Sequence, residues 1–470
     1  MTTVNSTVLG AILAYVALQF LIGAWVSRRM ASDEDYIVAG RKLGTGLVAF
    51  SVFATWFGAE AIQVSAGEIY DKGLAGALVD PFGYGLAVII VGLLLAAPLW
   101  RKGITTFADM IRERYSPETE RLFVLILVPG SLFWAAAQIR AFGQILNSSA
   151  GLEIDTAILL AALLIGGYSV IGGLLADAIT DVVQGLAVIA GLLVLTFAVM
   201  AHMGGLEASL ASIKPERLDV LSSGGESALA RFEKIAITIC GSIVSVELIS
   251  RFLGASSAGA ARGGTLLGGL MYLAVGLIPI FLGLVGPDLI KGLKETEQIV
   301  PKLAEAYLPA AAYALFLGAL VSAILSVVHA ALHAPASQLS HNILTRLVPG
   351  LSDKAKLWSV RLTVLALSVV ALFLARSVEH IKDLVETASA FGSAGAFVVA
   401  TFGLFTRIGG PASAITSLLA GILMWVWGKY VFGLKAPYLA GLAAALVTYL
   451  AVAWMEKRDT SAKALGSRKQ

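Results

Sequence analysis

A carboxylate in the middle of an apolar run is the first residue of this chain whose type and position invite chemistry. Residues 47–67 read LVAFSVFATWFGAEAIQVSAG, long enough to cross a bilayer, with Glu60 near the middle. An ionised group at that depth is expensive, so it marks either a function or an internal ion pair. Thr55, Trp56 and Gly58 add a hydroxyl, an indole and a helix-loosening residue within one turn. Glycine breaks such a segment tolerably only where the freed backbone groups face protein, water or a ligand. A broken helix beside a buried acid is how membrane carriers form an ion and solute site halfway across. The competing reading is a kinked span whose Glu60 is neutralised by an arginine elsewhere.

A second stretch repeats the pattern. In residues 235–256, Gly241 and Ser242 follow Cys240, and Glu247 precedes Arg251. Breaks at 54–60 and 241–247 that face one cavity are the central expectation. Other polar groups also lie inside apolar runs. Arg140 must find a partner there: either a solute carboxylate, for which a planar guanidinium is suited, or one of Glu60, Asp80 and Glu247. Asp80-Pro81 reads as a kink whose acid faces the same cavity, and Glu386 as an interfacial acid. His329 and His333, at i and i+4, share a helix face and could ligate a metal. No acid or cysteine close in sequence completes such a site, so hydrogen bonding or solute contact is the expected role.

The elements that position these residues follow from composition. The 470 residues are 58% hydrophobic and only 14% charged, with mean hydropathy +0.85. A soluble domain would carry about 25% charge. An all-α polytopic membrane protein is therefore expected, with the lipid bilayer as its surroundings. Thirteen apolar runs mark transmembrane helices near 7–27, 44–66, 75–99, 122–147, 156–176, 180–203, 235–256, 263–286, 308–333, 357–377, 383–406, 411–432 and 437–455. Residues 7–27 read as a first span rather than a cleaved leader. Basic residues cluster in alternate loops: Arg28, Arg29, Arg41 and Lys42; Arg101 to Arg121; Arg251 and Arg262; Arg346 to Lys356; and Lys457 to Lys469. The positive-inside rule puts the N-terminus outside and the C-terminus in the cytoplasm, as expected for a plasma (inner) membrane protein.

Between the spans, residues 101–121 carry Phe107, Met110, Ile111 and Tyr115 at helical spacing, the pattern of an amphipathic surface helix. Residues 204–234, punctuated by Pro215, Ser222, Ser223, Gly224 and Gly225, and 287–307 read as external caps with short helices. The polar tail after Glu456 is expected to be irregular. The two broken spans are the second and the seventh, which is the register of two inverted five-helix repeats. The expected organisation is a leading helix and loop (1–43), a first repeat (44–203), an external loop (204–234), a second repeat (235–406), additional helices (407–456) and a cytoplasmic tail (457–470). The lone Cys240 allows no intrachain disulfide. No phosphate-binding loop occurs, which argues against an ATP motor, and a net charge of +3 gives no reason to expect nucleic acid. No feature sets an oligomeric state.

Several motifs in order resemble the sodium:solute symporter family: residues 35–41 (DYIVAGR), 54–60 (ATWFGAE), Gly172-Gly173 with 180–184 (TDVVQ), and 251–257 (RFLGASS). Phe133 to Ala137 and Gly83-Tyr84 look most like its choline transporter branch. The resemblance, over residues 7–455, implies a LeuT-like fold. It implies a sodium site between spans two and nine, with backbone carbonyls of Ala54, Phe57 and Ala323 and the hydroxyl of Ser326. These are hard oxygen donors for a hard cation. It implies ion release past Asp181, which as a residue reads equally well as a helix N-terminal carboxylate after Thr180. It also implies that Trp56 and Trp134 belong to an aromatic cage for a quaternary ammonium. The third cage position is Ser245, so the cage is incomplete. Val327 stands where sodium-coupled members have a second hydroxyl, and His329 where the choline branch has an aspartate. A proton-coupled or uncoupled cycle therefore stands beside sodium coupling.

The expected function is secondary active transport of a small-molecule solute, cationic or zwitterionic, with sodium as coupling ion and no organic cofactor. The alternatives are a transporter-fold sensor, which the absence of a fused kinase disfavours, and a channel, for which no filter motif occurs. No nucleophile–base or metal-ligand set supports an enzyme.

Overall fold

The computed structural model describes residues 6–27, 32–220, 226–378 and 380–467. Arg28, Arg29, the 222–225 punctuation and Arg468 to Gln470 lie outside the described residues. Eleven helices among them are long and apolar enough to cross a membrane, joined by two shorter apolar helices, Ile12–Trp25 and Thr45–Trp56. Glu60–Leu94 makes two passes because the chain turns back at Gly73, where φ is +65°. A Cβ there would lie 2.5 Å from the Arg217 carbonyl, so glycine also admits the 215–218 turn against it. Thirteen passes result, near their expected positions.

Packing follows from small residues on long helices. In span eight (Ala258–Leu289), Gly264 and Gly283 admit Val48 and Ile69 of span two. Gly269 and Gly276 admit Ile89 and Pro81 of span three. Span two therefore runs parallel to span eight and span three antiparallel, and both backbones approach closely. Span nine (Ala310–Leu347) is the buried centre, with 94% of its apolar window inside the protein.

The connecting segments depart from expectation in two places. Phe107–Arg114 is helical, fixed by a Thr106/Asp109 capping box. Its Phe107, Met110 and Ile111 are buried in the protein core, so the apolar face meets protein rather than lipid. The last helix, Pro437–Ser467, continues past Glu456, where an irregular tail was expected. The Ala/Lys content of 461–465 favours helix there. The two expected caps contain Leu206–Ser212, Pro215–Leu218 and Ile299–Tyr307.

Candidate functional site

Span two breaks beside its acid. Its first half, Thr45–Trp56, ends at Phe57 (φ −92°, ψ 67°), whose N–H still donates to Phe53 O at 2.8 Å. The Ala59 N–H donates to Gln138 Oε1 at 3.1 Å instead of continuing the ladder. The chain resumes as a wide turn, Glu60–Val64, then Ser65–Lys72. Gly58 is required by close approach: a Cβ there would lie 2.6 Å from Val327 Cγ2 and 2.9 Å from Glu60 Oε2.

Span seven breaks at Val244 and Ser245, between Ala228–Ile243 and Val246–Leu253. The break falls inside the expected 241–247 stretch, three residues after Gly241-Ser242. Gly241 has another duty, since its Cβ would lie 2.5 Å from the Ser389 carbonyl of span eleven. Ser245 takes extended backbone and caps the second half.

Both breaks open on one cavity of about 70 Å³, lined by Trp56, Glu60, Tyr84, Ser131, Trp134, Ser242, Ser245, Glu247 and Ser389. Glu60 Oε1 accepts from Trp134 Nε1 at 3.0 Å, and Oε2 from Gln138 Nε2 at 2.5 Å. The indoles of Trp56 and Trp134 meet edge to face, 5.1 Å between centroids. Asp80 accepts from the Tyr272 hydroxyl at 2.7 Å.

A vestibule of about 380 Å³ continues from Glu60 and Tyr84 toward the 226–235 segment. A ladder of ion pairs crosses it: Lys382 and Lys72 each reach Glu68 at 2.6 Å, and Lys72 and Lys234 reach Glu226 at 3.0 and 2.6 Å. Burial alone would raise the Glu226 carboxyl, but the two lysines hold it down at about 2, so this link stays ionised at neutral pH. Glu386 lies here too, half-exposed beside Lys382. The opposite end is shut, with Arg346 bridging Asp109 at 2.8 Å and Glu120 at 2.7 Å.

Behind the first break, Asp181 collects oxygen donors. It accepts from Ser51 Oγ at 2.6 Å and, through a very short bond, from Ser326 Oγ. Ala54 and Phe57 sit at the frayed end of the same half-helix as Ser51, and Ala323 lies one turn before Ser326. The missing hydroxyl is physical: Val327 turns a methyl toward Gly58. Thr55, one turn beyond Ser51 on the same face, has a buried Oγ1 with no partner. It offers a further oxygen donor beside the break. Thr55→Val keeps the shape and should raise the sodium concentration needed for half-maximal stabilisation about tenfold. A sodium titration followed by thermal shift checks this, and an unchanged midpoint gives Thr55 no part in sodium binding.

Two residues go elsewhere. Arg140 donates to the Ala375 carbonyl at 3.0 Å on span ten and does not line the cavity. None of Glu60, Asp80 or Glu247 is its observed partner. His329 Nδ1 lies 2.9 Å from Asp177 Oδ2, away from the cavity, and stacks on His333 at 5.3 Å. Among the described residues no set of three metal-ligating side chains forms a metal site. Arg251, counted above as a loop cation, is instead 1% exposed and paired with Asp177. It also lies 4.0 Å from Asp181. Sequence reasoning missed Gln138, Ser51 and Asp177, and noted the Thr55 hydroxyl without giving it a role. The one available signal was Asp177 at i−4 from Asp181, on the same helix face.

The model of the "Sodium:solute symporter family" matches residues 36–421. High-affinity choline transporter 1 of Caenorhabditis elegans is 25% identical over 403 residues, 80% of this chain and 69% of that one. The human protein of that name is 27% identical over 391 residues, 78% and 67%. The sodium/pantothenate symporter of Haemophilus influenzae is 24% identical over 90% of each chain. A Na+-coupled sialic acid symporter in a substrate-bound outward-open state superposes with a TM-score of 0.85 over 95% of this chain and 97% of that one, at 17% identity. The nucleobase-cation-symport-1 transporter Mhp1 gives 0.62 at 15% identity over 90% and 95%. The fold is LeuT-like.

Proposed function

Because this chain belongs to the sodium:solute symporter family, we propose that it couples sodium entry to uptake of a small polar solute, cationic or zwitterionic, by alternating access. It is an integral membrane protein and not an enzyme. One observation carries the proposal: two half-way breaks open on a single acid-lined cavity, and one of them adjoins the Asp181–Ser326 cluster. Carbonyls freed at the first break, the Ser326 and Thr55 hydroxyls and the Asp181 carboxylate form a hard-oxygen donor set suited to sodium. A charged oxygen in that set compensates for the hydroxyl lost at Val327.

Sodium between spans two and nine draws those spans together, and the solute fills the neighbouring cavity at the same break. Binding of each thereby favours the geometry the other needs. With the Arg346 cluster shut and the vestibule open, this conformation accepts solute from the vestibule face. That face is external in our reading, with the protein in the plasma membrane, its N-terminus outside and its C-terminus cytoplasmic. The repeats are residues 44–203 and 235–406. Trp56, Glu60, Trp134, Ser245 and Glu247 contact the solute, while Ala54, Phe57, Ala323, Ser326 and Asp181 serve the ion.

Uptake into proteoliposomes under an imposed sodium or proton gradient tests the proposal. Solute should accumulate with sodium, and Asp181→Asn should lower the rate at least about tenfold. Accumulation with a proton gradient alone supports proton coupling, the reading favoured by the Val327 methyl. Accumulation with neither gradient rejects symport.

A further inference from the structure

Resting on the carrier reading above, we infer that the solute is a small amine cation retaining at least one N–H, and that Glu247 selects it. The cavity has room for roughly five water-sized groups. Its lining includes Glu60 and Glu247 but no lysine, arginine or histidine, so it is built for positive charge.

The two acids are not equivalent. Both Glu60 oxygens are occupied by Trp134 and Gln138, which fix that carboxylate as part of the wall. Glu247 is 4% exposed. One of its oxygens accepts from Ser245 Oγ at 2.6 Å, and Ser131 lines the same cavity. Its Oε1 meets no hydrogen-bond partner. A buried carboxylate oxygen without a donor is destabilising, and a donor brought by the solute removes that cost. An ammonium N–H supplies one. A quaternary ammonium has no N–H and leaves Oε1 unmet.

A solute carboxylate fits poorly for a separate reason. The half-helix Val246–Leu253 starts at the cavity, and free amides at such an end attract anions. Glu247 already stands in that first turn, beside its cap Ser245. A second carboxylate there would meet like charge. Arg251, the cation of this half-helix, is engaged by Asp177. The buried Trp56 Nε1, at the same cavity, also lacks a partner. It asks the solute for an acceptor such as a hydroxyl, while the Trp56–Trp134 faces receive the carbon skeleton of the cation.

The test is titration of the purified full chain, in sodium, with ethanolamine, its mono-, di- and trimethyl derivatives, and serine. Thermal shift and calorimetry give the affinities. The first three should bind alike, with the trimethyl compound and serine at least about tenfold weaker. Glu247→Gln should weaken the N–H amines about thirtyfold and flatten the methylation series, while sodium still stabilises the solute-free protein. Equal or tighter binding of the trimethyl compound, preference for serine, an unaffected Glu247→Gln, or no binding by any amine overturns the inference. The wild-type series decides the point alone should the variant not fold. Failure here with sodium stabilisation intact leaves the carrier reading standing, and amine binding without sodium dependence removes the coupling alone.

Discussion

Replacing Arg251 with methionine should all but abolish recovery of folded protein. The guanidinium is 1% exposed, in contact with Asp177 and 4.0 Å from Asp181. It therefore holds two acids of span six against the half-helix Val246–Leu253. Without it, two buried carboxylates share one region, Asp177 beside His329 and Asp181 held only by the Ser51 and Ser326 hydroxyls. Breaking a buried pair by removing one partner costs about 3–5 kcal/mol, a large part of a typical folding free energy. Size-exclusion chromatography in detergent should show the monodisperse peak falling at least about tenfold. The double variant Arg251→Met with Asp177→Asn removes charge from both sides and should recover much of the loss. Wild-type recovery of the single variant would mean that the half-helix is held by apolar packing alone.

The second large effect is expected at Glu60. Glu60→Ala leaves Trp134 Nε1 and Gln138 Nε2 without their acceptor and frees Gln138, whose Oε1 holds the Ala59 amide of the broken turn. Orphaning buried donors costs about 1–3 kcal/mol each. Solute affinity should fall at least about thirtyfold by calorimetry. The Asp181–Ser326–Ser51 cluster lies behind the break, so sodium stabilisation of the solute-free protein should fall much less. Equal losses of both would place Glu60 in the scaffold common to the two sites rather than in the solute wall.

What the sequence made legible follows the range of the forces involved. Spans are apolar runs of fixed length, so all thirteen passes were readable locally, as was the Trp56–Gly58–Glu60 break. The second break was readable as the 241–247 stretch but not to the residue, because two small residues one turn apart divide the work. Gly241 leans on a distant carbonyl and Ser245 caps, and only the packing partner Ser389 distinguishes them. Arg251 read as a loop cation because its partner Asp177 lies on another span. An ion pair across spans leaves no periodic trace. Arg140 demanded a partner, and Glu60, Asp80, Glu247 and a solute carboxylate were considered. The carbonyl of Ala375 was not, since backbone acceptors at helix ends are invisible to side-chain arithmetic. Thr55 was noticed as a hydroxyl, yet its role emerged only once Val327 was seen pressing a methyl on Gly58.

Everything above depends on ion and solute meeting at one broken turn, and reciprocal binding examines that most directly. Sodium affinity is measured with and without saturating solute, and solute affinity with and without saturating sodium, on the same detergent-purified protein. Thermodynamic linkage requires the two enhancement factors to be equal. The shared factor should be at least about fivefold and should collapse toward one in Asp181→Asn. Solute affinity indifferent to sodium in the wild-type protein would contradict it.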